Sequence, residues 1–489
     1  MNAADISRRE LLLALAACTQ LPAAPVAELC FLSATAQARL IRTGKLSARE
    51  LLAAHLKQIE RVNPKVNAIV TLVASQAEKA ALAADELQAK RGTLGPLHGL
   101  PIAHKDLVDT KGIRTTYGSP LFKDFVPEVD ALLVERIRHA GAVLLGKTNT
   151  PEFGAGSHTF NTIFGPTRNP YDLSKTCGGS SGGAAVTLAT GMLPIADGSD
   201  MGGSLRNPAA FCNIVGFRPS PGRVPGPGFS PLSTAGPMGR SVEDVALLLS
   251  VMAGPHVSAP LSLPDAGSGF RRPLDRAFKG TRVAWFKDLG GLPFDARVRT
   301  VIDAQVKVFE SLGCIVERAE PDFDGADFAF KTLRAWNSAA THGERIQTQR
   351  HLYKDTLLLE IEQGLRLTGS DVAKAEQLHA QVWRNFQAFM QRYEYFILPT
   401  TQLPPFDVTV AYPAEINGTR FGSYIDWMKA CWYISIVGNP AISVPAGFTP
   451  EGLPAGLQIV GRHHQDFAVL QMGRAFEQAT NHALRHPSL

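Results

Sequence analysis

The chain has 489 residues, 45% of them hydrophobic, and a formal net charge of +5 at pH 7. It is long enough to bury a large core, and a charge excess this small gives no basis for nucleic-acid binding. Six scattered cysteines, Cys18, Cys30, Cys177, Cys212, Cys314 and Cys431, form no CxxC pair, so neither a zinc ribbon nor a thioredoxin-like site is indicated.

Residues 1–31 differ in character from the rest of the chain. Ser7-Arg8-Arg9 precedes a short apolar run, Leu11 to Ala17, and then Cys18. This resembles a twin-arginine export signal, and Leu15-Ala16-Ala17-Cys18 resembles a lipoprotein cleavage box. The competing reading is an N-terminal tail of a cytoplasmic protein. The two readings place the protein in the periplasm or the cytoplasm, with membrane attachment only if Cys18 is lipidated. No apolar run reaches membrane-spanning length.

A single folded domain is expected over residues 32–489. Ser47-Ala48-Arg49-Glu50 is a capping box, so a helix starts there and runs to about Val62, where Asn63-Pro64 stops it. A second helix is expected around Ala74–Lys90. Gly99 to Val108 is short, mostly apolar and bounded by Gly and Pro, which suits a buried strand. Lys105 within it is unusual, and the bland reading is a lysine snorkelling to the surface. Val129–Ala140 reads as a helix ending at Gly141, and Ala142–Leu145 as a strand. Gly141 to Thr148 therefore matches the P-loop spacing with the wrong elements around it, since a P-loop needs a strand first and a helix after.

Cys177 to Asn207 is the centre of the chain. Two glycine-flanked serine sites, Ser180-Ser181 and Ser204, bracket a segment too apolar to be a linker. Gly178-Gly-Ser180-Ser-Gly182 also fits the G-x-S-x-G nucleophile elbow, but polar loop rather than strand precedes it. Beyond Arg206 the sequence reads as a Pro/Gly-rich loop from Arg218 to Arg240, a helix capped at Ser241, a loop over Pro255–Pro273, and a strand at Thr281–Lys287. A helix over Ala296–Leu312 and a strand at Ile315–Ala319 come next. Helices fill much of 325–392. Buried strands are expected at Phe396–Pro399, Ala441–Pro445 and Leu457–Val460, before a closing helix at Asp466–Gln478. This alternation argues for an α/β fold.

Four segments, in order, carry a resemblance to the amidase signature family of serine hydrolases. They are Gly99-Leu-Pro-Ile-Ala-His-Lys105-Asp, Gly146-Lys-Thr-Asn-Thr-Pro-Glu-Phe153, Gly178-Gly-Ser180-Ser-Gly-Gly183 and Gly198-Ser-Asp200-Met-Gly-Gly-Ser204-Leu-Arg206. The resemblance implies a central mixed β-sheet with helices on both faces. It also implies hydrolysis of a carboxamide through an acyl-serine intermediate, without metal or cofactor. By the same resemblance Ser204 is the nucleophile, Ser180, following a cis peptide bond, is the bridge, and Lys105 is the base. The backbone amides of Met201, Gly202, Gly203 and Ser204 make the oxyanion hole, and Ser181, Asp200 and Arg206 support the site. His104, Ser199 and Phe217-Arg-Pro-Ser220 depart from the family's usual residues.

The expected ligand is a small-molecule amide, aryl or hydrophobic in its acyl part, and a homodimer is left open. Tyr424, Trp427, Met428, Cys431, Trp432 and Tyr433 recur at helical spacing and either line an acyl pocket or pack a core. One alternative is the amidase (A) component of a tRNA-dependent glutamine amidotransferase. An alternative of another class is a nucleotide-binding protein using Gly141–Thr148.

Overall fold

The computed structural model describes residues 24–489, with side chains from Glu28 onward. The signals at Arg8-Arg9 and Leu15–Cys18 lie outside the described residues. Helix α1 (Ala24–Phe31) is docked on the body of the protein. Arg240 donates to the carbonyls of Cys30 at 3.0 Å and Leu32 at 2.6 Å, and Phe31 stacks on His486.

Helix α2 (Ala48–Val66) starts at the expected capping box, with Ser47 and Glu50 each receiving the other's backbone N–H. It does not stop at Asn63-Pro64. Pro64 sits in the last turn, and the helix ends at Asn67, which takes a left-handed conformation. Asn63 then caps the exit, its Oδ1 accepting the N–H groups of Ala68 and Ile69, both at 2.9 Å.

Strands β1 (Ile69–Leu72), β2 (Pro101–Lys105) and β3 (Val143–Thr148) form a small sheet in the order β1-β3-β2, with β2 and β3 parallel. Helix α3 (Leu132–His139) leads into β3 through Gly141 at φ +88°. The residues between Gly141 and Thr148 are thus strand, not a phosphate-cradling loop, and the nucleotide-binding reading is overturned. Lys147 is buried and donates to the Val108 carbonyl and to the Thr110 and Thr115 hydroxyls.

A short hairpin comes next, β4 (Phe160–Asn161) and β5 (Gly165–Pro166). Beyond it lie helix α4 (Gly182–Ala189), strand β6 (Ile195–Asp200), helix α5 (Arg206–Phe211), and strands β7 (Val215–Arg218) and β8 (Thr234–Gly239). After helix α6 (Val242–Met252) come β9 (Arg282–Trp285), β10 (Ile315–Arg318) and three helices, α7 (Ala326–His342), α8 (Asp355–Leu365) and α9 (Gly369–Met390). The chain closes with β11 (Tyr395–Pro399), a hairpin of β12 (Glu415–Ile416) and β13 (Thr419–Arg420), helix α10 (Lys429–Val437), strands β14 (Ala441–Phe448) and β15 (Pro454–Gly461), and helix α11 (Asp466–Thr480).

Eight strands form the main sheet, in the order β10-β9-β11-β15-β14-β7-β8-β6. The β10, β9 and β11 neighbours are parallel and the rest antiparallel, so the sheet is mixed, as expected. Helices cover both faces. On β15 a methyl group at Gly456 would strike Ala210 of α5, and one at Gly461 would strike Val469 of α11. Residues an odd number apart on a strand point to opposite faces, so α5 and α11 lie on opposite sides.

Two further expectations needed correction. The stretch from Arg218 to Arg240 is not all loop, because β8 lies within it. Its Gly and Pro content hides a strand whose glycines admit close neighbours: a methyl at Gly236 would lie 2.3 Å from the Phe217 carbonyl oxygen. The single helix expected over Ala296–Leu312 is two, Ala296–Asp303 and Val306–Ser311. They part where Gln305 N–H turns back to the Ile302 carbonyl.

Gly216 of β7 lets the turn carrying Ser204 rest on the sheet. A methyl there would lie 2.3 Å from the Leu205 carbonyl oxygen and 2.8 Å from Ala209 Cβ. Gly216→Ala is expected to cost about 1–3 kcal/mol through overpacking. The check is a lower urea midpoint with an unchanged slope in equilibrium unfolding.

Candidate active site

The two sheets meet at the ends of β2 and β6, and the serine turns fill the junction. Lys105, the last residue of β2, is completely buried, so the snorkelling reading fails. Its Nζ lies 2.7 Å from Ser180 Oγ, 3.0 Å from Ser181 Oγ and 3.2 Å from Ser199 Oγ. Burial pulls the lysine pKa down to about 7, against the opposing pull of Asp200 and Asp197. The flanking residues face elsewhere, as strand alternation requires. His104 pairs with Asp197 at 2.7 Å, and Asp106 accepts from Thr116.

The Gly179–Ser180 peptide bond is cis. Ser181 then precedes α4, and its N–H donates to the Ser204 carbonyl at 3.2 Å, tying the two serine turns together. Glycine is obligatory beside it. A methyl at Gly182 would lie 2.3 Å from Thr159 Oγ1, and one at Gly183 would lie 2.4 Å from the Asn149 nitrogen.

Asp200 ends β6 and organises the second turn. Its buried carboxylate accepts N–H groups from Gly203 at 2.9 Å and Leu205 at 3.1 Å. Arg206 grips it with Nε at 3.0 Å and Nη2 at 2.8 Å, and Arg218 Nη1 approaches to 3.3 Å. These partners hold the Asp200 carboxyl far below the usual carboxylate range despite its burial. Arg206 also donates to the Cys431 carbonyl at 2.8 Å and Ser435 Oγ at 2.7 Å, so the turn is fastened to α10.

The expected oxyanion hole needs one correction. The Gly203 N–H is taken by Asp200, so it is not a free donor. Among the described residues, the N–H groups of Met201, Gly202 and Ser204 have no protein acceptor. Gly203 is needed for space instead. At φ +117° a methyl there would lie 2.5 Å from Cys431 Cβ.

Ser180, Ser199, Met201, Gly202 and Ser204 together line a cavity of about 230 Å³. Phe153, Leu357, Phe330, Ile425 and Met428 give it apolar walls, and Arg334, Glu360 and Tyr424 lie on it too. Of the aromatic group expected near a pocket, Tyr424 and Met428 reach it. Trp427, Cys431, Trp432 and Tyr433 are core instead. Trp427 stacks on Phe211 and donates to Ser157, Cys431 donates to the Thr400 carbonyl, and Trp432 stacks on Phe330 and meets Tyr433 edge to face. Phe330, Arg334 and Glu360 carry no signal in the sequence that marks them for the site, and Arg218 shows there only within the Phe217–Ser220 departure from the family. Helical periodicity marks α7 and α8 as amphipathic but does not say that their inner faces border a cavity.

The family model described as Amidase matches residues 50–470 of this chain. The chain belongs to the amidase family. An acylamidase of Rhodococcus erythropolis is 35% identical over 465 residues, covering 94% of this chain and 97% of the relative. The A subunit of the glutamyl-tRNA(Gln) amidotransferase of Moorella thermoacetica is 34% identical over 500 residues, covering 94% and 99%. Among solved structures, a bacterial aryl acylamidase of the amidase signature family superposes with a TM-score of 0.88 at 29% identity, covering 93% of this chain and 97% of that one. A peptide amidase from Stenotrophomonas maltophilia gives 0.76 at 26% identity, covering 93% and 98%. This amidase acts on a carboxamide through the acyl-enzyme chemistry of a serine, a cis-serine and a lysine.

The Asp200 network yields a stability prediction. Removing one partner of a buried ionic network leaves charge uncompensated and typically costs about 3–5 kcal/mol. Asp200→Asn is expected to destabilise the amidase by that order, read by denaturant unfolding, and to lower activity because the Gly203 and Leu205 amides lose their anchor.

Proposed function

We propose that Ser204 is the nucleophile, Ser180 the proton relay and Lys105 the base of an amidase that hydrolyses aryl or hydrophobic acyl amides. The observation that carries this reading is the buried Lys105 amine held 2.7 Å from a hydroxyl that lines the same cavity as Ser204.

A neutral amine has two N–H groups and one lone pair, so it can donate to two of its three serine neighbours and must accept from the third. Ser181 Oγ is within reach of the Ser199 carbonyl at 3.4 Å, which uses its proton. Of the remaining two, Ser180 at 2.7 Å is nearer than Ser199 at 3.2 Å, and in this reading it is the hydroxyl that donates to the neutral Nζ. Its oxygen is then free to accept the Ser204 proton as Ser204 attacks the amide carbon. The proton runs back along the same path to the departing nitrogen, and water repeats the cycle on the acyl-enzyme. The free amides of Met201, Gly202 and Ser204 stabilise the oxyanion; losing one such donor typically costs about 10²–10³ in rate.

The apolar walls support a hydrophobic acyl or aryl amide, and the likeness to the acylamidase and aryl acylamidase agrees. The similarity to the amidotransferase relatives supports a second reading, in which the amide is glutamine and a partner protein is required. Anilides and glutamine, offered to the purified chain alone, separate the two. Anilide turnover without a partner is expected; glutaminase activity appearing only with a partner protein would establish the second reading.

The base assignment predicts a pH dependence. Lys105 works deprotonated, so kcat/KM should rise with pH through about 7 and stay high on the alkaline side. Lys105→Arg should lose roughly 10²–10⁴ in kcat, because guanidinium keeps its proton. Ser204→Ala should form no acyl-enzyme by mass spectrometry, and Ser180→Ala should form it slowly. A folded Lys105→Arg with wild-type turnover would overturn the lysine as base.

A further inference from the structure

Resting on the amidase reading, we propose that Tyr424, braced by Arg334 and Glu360, is a partition that sets the length of acyl group accepted, with a second chamber behind it as an extension subsite. Beside the active-site cavity lies another of about 320 Å³. The two share four lining residues, Arg334, Glu360, Tyr424 and Ile425, so these side chains form a common wall.

That wall is held by polar contacts rather than by core packing alone. Arg334 Nη1 lies 2.7 Å from Glu360 Oε2, its Nη2 donates to the Tyr424 hydroxyl, and Ser338 Oγ donates to Glu360 Oε1 at 2.5 Å. The contacts bring three elements together: Arg334 and Ser338 from α7, Glu360 from α8, and Tyr424 from the segment before α10. Beyond it the chamber is bordered by Thr356, Leu359 and Gln363 of α8, by Tyr412 and Ser423, and by the ion pair of Lys331 with Asp426 at 2.8 Å.

The direction of the acyl group is set by the proton path. Ser180 returns its proton to the leaving amine, so the amine lies on the Ser180 side. There a methyl at Gly154 would lie 3.5 Å from Ser180 Oγ and 2.8 Å from Leu107. The acyl chain takes the other direction, along Phe330 and Met428. Methyl groups at Gly202 and Gly203 would touch these two side chains, each at 3.7 Å. Tyr424 lines the same cavity and accepts from Arg334, one helical turn beyond Phe330 on α7.

The test is a series of straight-chain acyl p-nitroanilides, acetyl to dodecanoyl, with wild type, Tyr424→Phe and Tyr424→Ala. Wild type is expected to lose kcat/KM beyond the length that fills the first cavity. Tyr424→Ala should raise the long-to-short ratio of kcat/KM by about 10-fold, because the ring no longer stops the chain and a few methylenes can lie against Ile425 and Leu359. Tyr424→Phe keeps the ring and should keep the wild-type length profile. An unchanged ratio in a Tyr424→Ala protein that melts cooperatively and still cleaves the short anilide overturns the partition. Should that variant not fold, Tyr424→Val replaces it and the same ratio decides. If wild type cleaves no anilide of any length, the aryl-amide reading fails first and the partition falls with it.

Discussion

The buried carboxylate of Asp200 is the interaction on which the site depends. It is placed at the end of β6 by the sheet, and it collects two backbone N–H groups and two guanidinium groups. A buried carboxylate without such partners would take up a proton or unfold its surroundings. Here the partners keep it ionised and fix the turn that leads on to α5. The Gly203 amide is held by Asp200, while Met201, Gly202 and Ser204, whose amides have no protein acceptor among the described residues, border the cavity. Arg206 carries the same constraint to α10, and Arg218 carries it to β7 and to the Leu232 carbonyl before β8.

This arrangement explains why so much small-residue sequence sits at the centre of a large protein. The two serine turns approach within a backbone hydrogen bond of each other, from Ser181 to Ser204. Any side chain at Gly182, Gly183, Gly203 or Gly216 would push one turn away from its support. The glycines therefore set distances rather than supply flexibility. A preorganised site has this property: donors are aimed before the reaction and no reorganisation is needed when charge develops.

The elements legible in the sequence were those whose local signals agree with their surroundings. The capping box at Ser47, the cap at Ser241, the glycine exit at Gly141 and the apolar strands β2, β14 and β15 all read directly. Lys105, Ser180 and Ser204 stood out through the resemblance and their glycine contexts. What escaped was decided by distant partners. β6 and β8 are rich in Gly, Asp and Pro, and become strands because they pair with each other. Pro64 is tolerated because Asn63 and Asn67 close the helix after it. The amide of Gly203 resembled its neighbours in sequence, and only the position of Asp200 removes it from the set of free donors. Ser199 departs from the family's usual residue and proves to be a direct neighbour of the lysine amine.

A lowered lysine pKa does not by itself identify a base. Three lysines in this protein have it, the buried Lys105 at about 7, the buried Lys147 at about 8 and the half-buried Lys354 at about 8, all driven mainly by desolvation. Their surroundings differ in what they offer the amine. Lys147 is enclosed by the Val108 carbonyl and two threonine hydroxyls, and Lys354 donates to the Ala155 carbonyl. A carbonyl can only accept, and the two threonine hydroxyls beside Lys147 give their own protons to the Val108 and Ile113 carbonyls, so neither amine has a partner with a proton to offer. Lys105 alone of the three faces only hydroxyls, and hydroxyls can donate as well as accept. One of them, Ser180, also borders the cavity shared with Ser204. Burial makes all three amines easier to deprotonate. Only the serine surroundings of Lys105 give its lone pair a proton to take and a route by which to return it.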